Sequence, residues 1–80
     1  MKRASITVHA AWDDDAAVWV ASSDDIDGLA VEAMTLEALE VEVVAAIADL
    51  LELNRPEFDG PDIAIHIVTE QLATVPNPRF

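Results

Sequence analysis

Residues 34–53, MTLEALEVEVVAAIADLLEL, decide what kind of fold this chain can adopt. Thr35 is a good N-cap, because its hydroxyl oxygen can accept a backbone N–H from the first helical turn. Glu37 follows inside that turn, where the helix dipole favours an acid. Leu36, Leu39, Val43, Ile47 and Leu50 recur at steps of three and four, the spacing of one buried face. Met34 and Leu39 have the spacing of a hydrophobic staple around the cap. Val41, Val43 and Val44 are poor helix formers, so the periodicity and the cap, rather than propensity, carry the helix to about Leu53. On its far side Val41, Ala45 and Ala48 lie beside Glu42, Asp49 and Glu52, a row of small apolar residues that can serve as a shallow contact surface.

Outward from the helix the period changes from 3.6 to two. Ile6, Val8 and Ala10 alternate with Thr7 and His9, which argues for a strand. Asp13-Asp14-Asp15 is a polar break suited to a hairpin turn. Ala17-Val18-Trp19-Val20-Ala21 makes a second strand, apolar on both faces. Ser22 to Gly28 is a loop, and Leu29, Val31 and Ala33 form a third, weaker strand. Beyond the helix, Asn54 to Pro61 turns the chain with Asn, Pro and Gly. Asp62 to Thr69 alternates again, with Ile63, Ile65 and Ile67 on one face and Ala64, His66 and Val68 on the other. The order β-β-β-α-β predicts an α/β (α+β) two-layer sandwich, with one helix packed on one face of a four-stranded sheet and a right-handed crossover into the last strand. The bare face is expected to carry Thr7, His9, Trp19, Glu32, His66 and Val68. Residues 1–70 form the domain, and 71–80, with Pro76 and Pro78, an extended, poorly ordered tail.

Charge narrows the function. Sixteen Asp and Glu against four Lys and Arg give a formal charge of −12 in 80 residues. Lys2, Arg3, Arg55 and Arg79 are scattered, so the chain offers no basic patch with which to displace phosphate counterions, and direct nucleic-acid binding is not expected. An anionic membrane surface is equally unsuited, and no apolar run approaches the ~20 residues of a membrane helix. The expected location is cytoplasmic. With 52% hydrophobic residues the chain has enough apolar content to fold despite its acidity. At this size it buries only about 60–65% of its unfolded surface, and without cysteine no disulfide or thiolate site can reinforce it. Homo-oligomerisation is therefore expected.

Individual motifs have plain readings beside the chemical ones. Ser23-Asp24-Asp25-Ile26-Asp27-Gly28 looks like the start of an EF-hand loop, but position twelve would be Met34 where a bidentate Glu is needed. A solvated loop with an Asx-turn is the expectation. His9 and His66 share a sheet face but have no third ligand, so no metal and no cofactor are predicted. Trp19, pointing away from the helix, is a candidate interface anchor, and the plain reading beside it is packing over the sheet edge or within a homodimer.

Val18-Trp19-Val20-Ala21-Ser22-Ser23, then Asp25-Ile26-Asp27-Gly28-Leu29, Glu32-Ala33 and Thr35-Leu36-Glu37 before a helix together resemble the HicB antitoxin domain. The final strand Ile63–Ile67 fits as well, so the resemblance covers roughly residues 4–69. Asp27 stands where that family often has Pro, and Met34 where it often has Asp. The resemblance implies a degenerate ribonuclease H-like fold with a mixed sheet of order 3-2-1-4, which periodicity alone does not give. It implies a partner too, a small basic HicA-like toxin that cleaves RNA. Many members append a DNA-binding domain after the region matched here, so a short form without direct operator binding is expected. The acids lie in loops and on the helix rather than converging from strand interiors as two-metal nuclease chemistry requires, and no enzyme activity is expected. Asp13, Asp14 and Asp15, Asp24, Asp25 and Asp27, together with Trp19, are the candidate partner-binding residues. The alternative is an orphan HicB-like domain that assembles only with itself.

Overall fold

The computed structural model describes residues 5–54 and 61–80. Lys2, Arg3, Arg55 and most of the turn expected over 54–61 lie outside them. The elements are β1 (Ser5–Asp13), β2 (Val18–Ser22), β3 (Val31–Ala33), α1 (Leu36–Asn54) and β4 (Ala64–Glu70). They form one four-stranded sheet of order β3-β2-β1-β4. β1–β2 and β2–β3 are antiparallel, whereas β1–β4 is parallel. The sheet is therefore mixed, with the helix as the connection that parallel strands require.

The helix starts as its sequence dictates. The Ala38 N–H donates to Thr35 Oγ1 at 3.1 Å, and the Leu39 N–H to the Thr35 carbonyl at 2.9 Å. Leu39, Val43 and Ile47 are the fully covered helix positions and meet Ile6, Val8, Ala10 and Ala21 from the sheet. The staple does not form: Leu39 is buried but Met34 is 77% exposed, because β3 ends at Ala33 and Met34 follows pointing outward. Leu36 also sits at the margin of the core, 39% exposed.

Strand boundaries shift by a residue or more from their expected places. β2 begins at Val18 rather than Ala17, since Ala17 has φ 58° and cannot pair as a strand residue. Its N–H donates to the Asp13 carbonyl at 2.8 Å, closing a four-residue loop in which Asp13 Oδ1 also accepts the N–H groups of Asp15 and Ala16. The third strand contracts to Val31–Ala33, and Leu29 becomes a buried loop residue beside Ile26. Those two side chains pin the 23–30 loop onto the core. Gly28 lets the loop pass over the helix: its φ is +90°, and a Cβ there would stand 3.3 Å from Leu50 Cδ2.

Candidate protein-binding site

Strand register places the candidate residues. Asp13 pairs with Val18, Trp12 with Trp19 and Ala10 with Ala21, and Trp19 pairs in turn with Ala33. Ala10 and Ala21 are buried under the helix. By the two-residue pleat, Trp12 and Trp19 share that side. Trp19 is thus not on the bare face, as its sequence setting suggested, but packs half-buried against the core. β2 is apolar at successive positions, so its own pattern does not state which side faces in; the pairing with β1 does. The two indoles meet edge to face, with centroids 5.5 Å apart and planes at 63°. Trp12 is the residue sequence reasoning underweighted. The signal was present, because Ile6, Val8, Ala10 and Trp12 continue one alternation.

The acidic residues divide into two groups. Asp13 to Asp15 occupy the β1–β2 turn, whereas Asp25 sits beside Thr7 near the start of β1. Six residue steps along the strand separate Thr7 from Asp13, about 20 Å, so the two groups mark opposite ends of the sheet. Within each group the roles differ. Asp13 closes its turn, and Asp14 Oδ1 accepts the Trp12 Nε1–H at 3.2 Å. Asp15, Asp24 and Asp27 are exposed.

Asp25 is not a solvated loop acid. Its Oδ2 accepts the Thr7 N–H at 2.8 Å, while the Ser23 hydroxyl donates to the Thr7 carbonyl at 2.6 Å and accepts the Asp25 N–H at 3.0 Å. β2 pairs with β1 only as far as His9. Ser23 and Asp25 therefore carry the ladder two residues further with side chains, satisfying both backbone groups of Thr7. The expected Asx-turn is in fact a serine turn that serves β1.

The bare face carries His9, Ala11, Val20, Ser22, Glu32, His66, Val68 and Glu70, all exposed. His66 pairs with Thr7 and Val68 with His9, so the two histidines are diagonal neighbours on adjacent strands. Among the described residues no group of three or more His, Cys, Asp or Glu is placed to hold a metal ion. Two further surfaces are recessed, the first of mixed polarity and the second apolar. A hollow at the hairpin end is lined by Trp12, Asp14, Gln71 and Leu72. A groove along the outer helix is lined by Val41, Val44 and Ala45 between Glu37 and Glu40. Among the described residues no helix is long and apolar enough to cross a membrane.

Residues 5–76 match the family described as "Domain of unknown function (DUF1902)". A solved structure, that of a hypothetical protein from the extremely thermophilic bacterium Thermus thermophilus, is similar at 37% sequence identity with a TM-score of 0.71. The similarity covers 91% of this chain and 99% of that one. No curated protein matches the chain.

Proposed function

The chain belongs to the DUF1902 family, and on that footing we propose that it is a HicB-type antitoxin module that binds and neutralises a small basic, RNA-cleaving protein in the cytoplasm. The observation that carries this reading is the placement of charge. Exposed Asp15 at one end of the sheet and Asp24 and Asp27 at the other bracket a bare face some 20 Å long, with Val20 and Val68 exposed upon it. A net charge of −12 steers a cationic partner to that face and sets its orientation, more than it sets final affinity. Neutralisation is then steric, by occlusion of the partner's RNA-binding surface, and this chain performs no chemistry. The HicB-like run from Val18 to Glu37 supports the reading, as does the sheet order 3-2-1-4 that the resemblance implied.

Co-expression with a small basic HicA-like protein encoded beside it tests the proposal. Relief of growth arrest is expected, together with a one-to-one or two-to-two complex whose association slows as salt rises. Persistent toxicity, with no complex recovered, overturns it. A second reading, a domain that assembles only with itself, is favoured by the apolar strip on the outer helix, since an apolar stripe on a helix is ordinarily covered.

A further inference from the structure

Residues 71–80 leave the sheet and are exposed throughout: Leu72 is 91% exposed, Val75 84% and Phe80 109%. The molecule measures 53 × 25 × 18 Å, with a radius of gyration of 15.5 Å against about 12 Å for a compact chain of this length. The arm is nevertheless shaped. The Phe80 N–H donates to the Asn77 carbonyl at 3.2 Å, and the Arg79 N–H to Asn77 Oδ1 at 2.9 Å, a turn with Pro78 at its favoured second position. The family match also runs on to residue 76, so most of the arm belongs to the same unit as the sheet.

Charge separates the arm from everything before it. Residues 71–80 contain no acid and one Arg, a charge of +1, so the first seventy residues carry −12 − 1 = −13. The groove on the outer helix is the converse surface, Val41, Val44 and Ala45 flanked by Glu37 and Glu40. The lengths agree as well: Gln71 to Pro76 reaches about 18 Å when extended, and Glu37 to Ala48 spans about 16 Å of helix. Direct helix-to-helix contact would bring two acid-rimmed grooves together, whereas an acid-free arm can lie in each without adding like charge.

We propose that the arm of one protomer docks on the outer helix groove of a second copy, with Leu72 and Val75 on Val41, Val44 and Ala45 and with Arg79 drawn to the Glu37–Glu40 rim. Exchange in both directions makes a closed two-fold dimer and leaves the bare sheet face free. The proposal is independent of whether that face binds a toxin.

Sedimentation equilibrium of the full chain is expected to give a concentration-dependent dimer. A Leu72→Ser/Val75→Ser/Phe80→Ser variant and a Val41→Glu variant each weaken dimerisation at least about tenfold, with thermal midpoints equal to wild type at concentrations too low for dimer, because the substituted residues are exposed. Since the chain has no cysteine, a Val75→Cys chain mixed with an Ala45→Cys chain reports the seat directly: oxidation yields the mixed disulfide dimer. A monomeric wild-type chain, an arm variant that still dimerises, or a dimer indifferent to Val41→Glu overturns the proposal. So does a disulfide that closes within a single chain carrying both cysteines. Relief of toxicity in the co-expression assay is expected to survive the arm substitutions.

Discussion

The Asp25 carboxylate accepts the Thr7 backbone N–H at 2.8 Å across eighteen residues of sequence, so that a loop side chain takes the place of the strand neighbour that β1 lacks at that point. The bond is charge-assisted and its donor is part-buried. Asp25→Ala is expected to cost about 1–3 kcal/mol, a fall of roughly 4–8 °C in melting temperature per kcal/mol for a domain of this size. Asp24→Ala and Asp27→Ala, at exposed positions of the same loop, should stay within about 0.5 kcal/mol of wild type. Thermal unfolding of the three variants checks this, and equal losses would refute the structural role of Asp25.

Trp12 and Trp19 form one edge-to-face pair. A double-mutant cycle with Trp12→Ala and Trp19→Ala should return a coupling of about 0.5–1.5 kcal/mol. Urea unfolding measures it. Additive losses would mean that the indoles pack independently.

Ala17 and Gly28 adopt left-handed backbone conformations with opposite fitness. Ala17 at φ 58° bears a Cβ where glycine is favoured, and Ala17→Gly should stabilise the hairpin by about 0.5–1 kcal/mol. Gly28 at φ +90° also has Leu50 Cδ2 3.3 Å from where a Cβ would stand, so Gly28→Ala should destabilise by more than about 1 kcal/mol. Opposite shifts in the denaturation midpoint are the expected result; shifts of the same sign contradict the backbone assignment.

Charge removal should act on rate before affinity. Asp15→Asn with Asp24→Asn and Asp27→Asn removes three exposed acids and leaves the side-chain bonds of Asp13, Asp14 and Asp25 in place. The triple variant is expected to slow association with the proposed basic partner several-fold while leaving dissociation little changed. Stopped-flow measurement over a salt series separates the two. An effect confined to dissociation would place these acids inside the contact rather than around it.

The helix was the most legible part of the sequence, because Thr35 and the Leu39–Val43–Ile47 stripe state one message at two levels. The strands were legible in number and order, and their ends were not, since a boundary such as Ala17–Val18 is set by a backbone angle rather than by residue type. Sheet order had to come from the HicB resemblance, because alternation says which residues share a face and nothing about which strands are neighbours. For the candidate site, composition revealed the acids but not their division of labour. Asp25 differs from Asp24 and Asp27 only in lying opposite Thr7, a relationship that exists once β1 has been paired. The side on which Trp19 packs was hidden for the same reason.

The parallel pairing of β1 with β4 joins Ser5 to Ala64, positions 64 − 5 = 59 apart, whereas the β1–β2 hairpin closes over four residues. Closing so long a loop costs chain entropy before any contact repays it, and contacts of that span slow folding. On a ribosome the hairpin and helix are made first, while the backbone edge of Ser5–Ala11 stays unpaired until β4 emerges. The last strand synthesised is therefore the one that commits the molecule, and a chain interrupted before Ala64 should lose hydrogen-exchange protection first at the β1 amides that face β4.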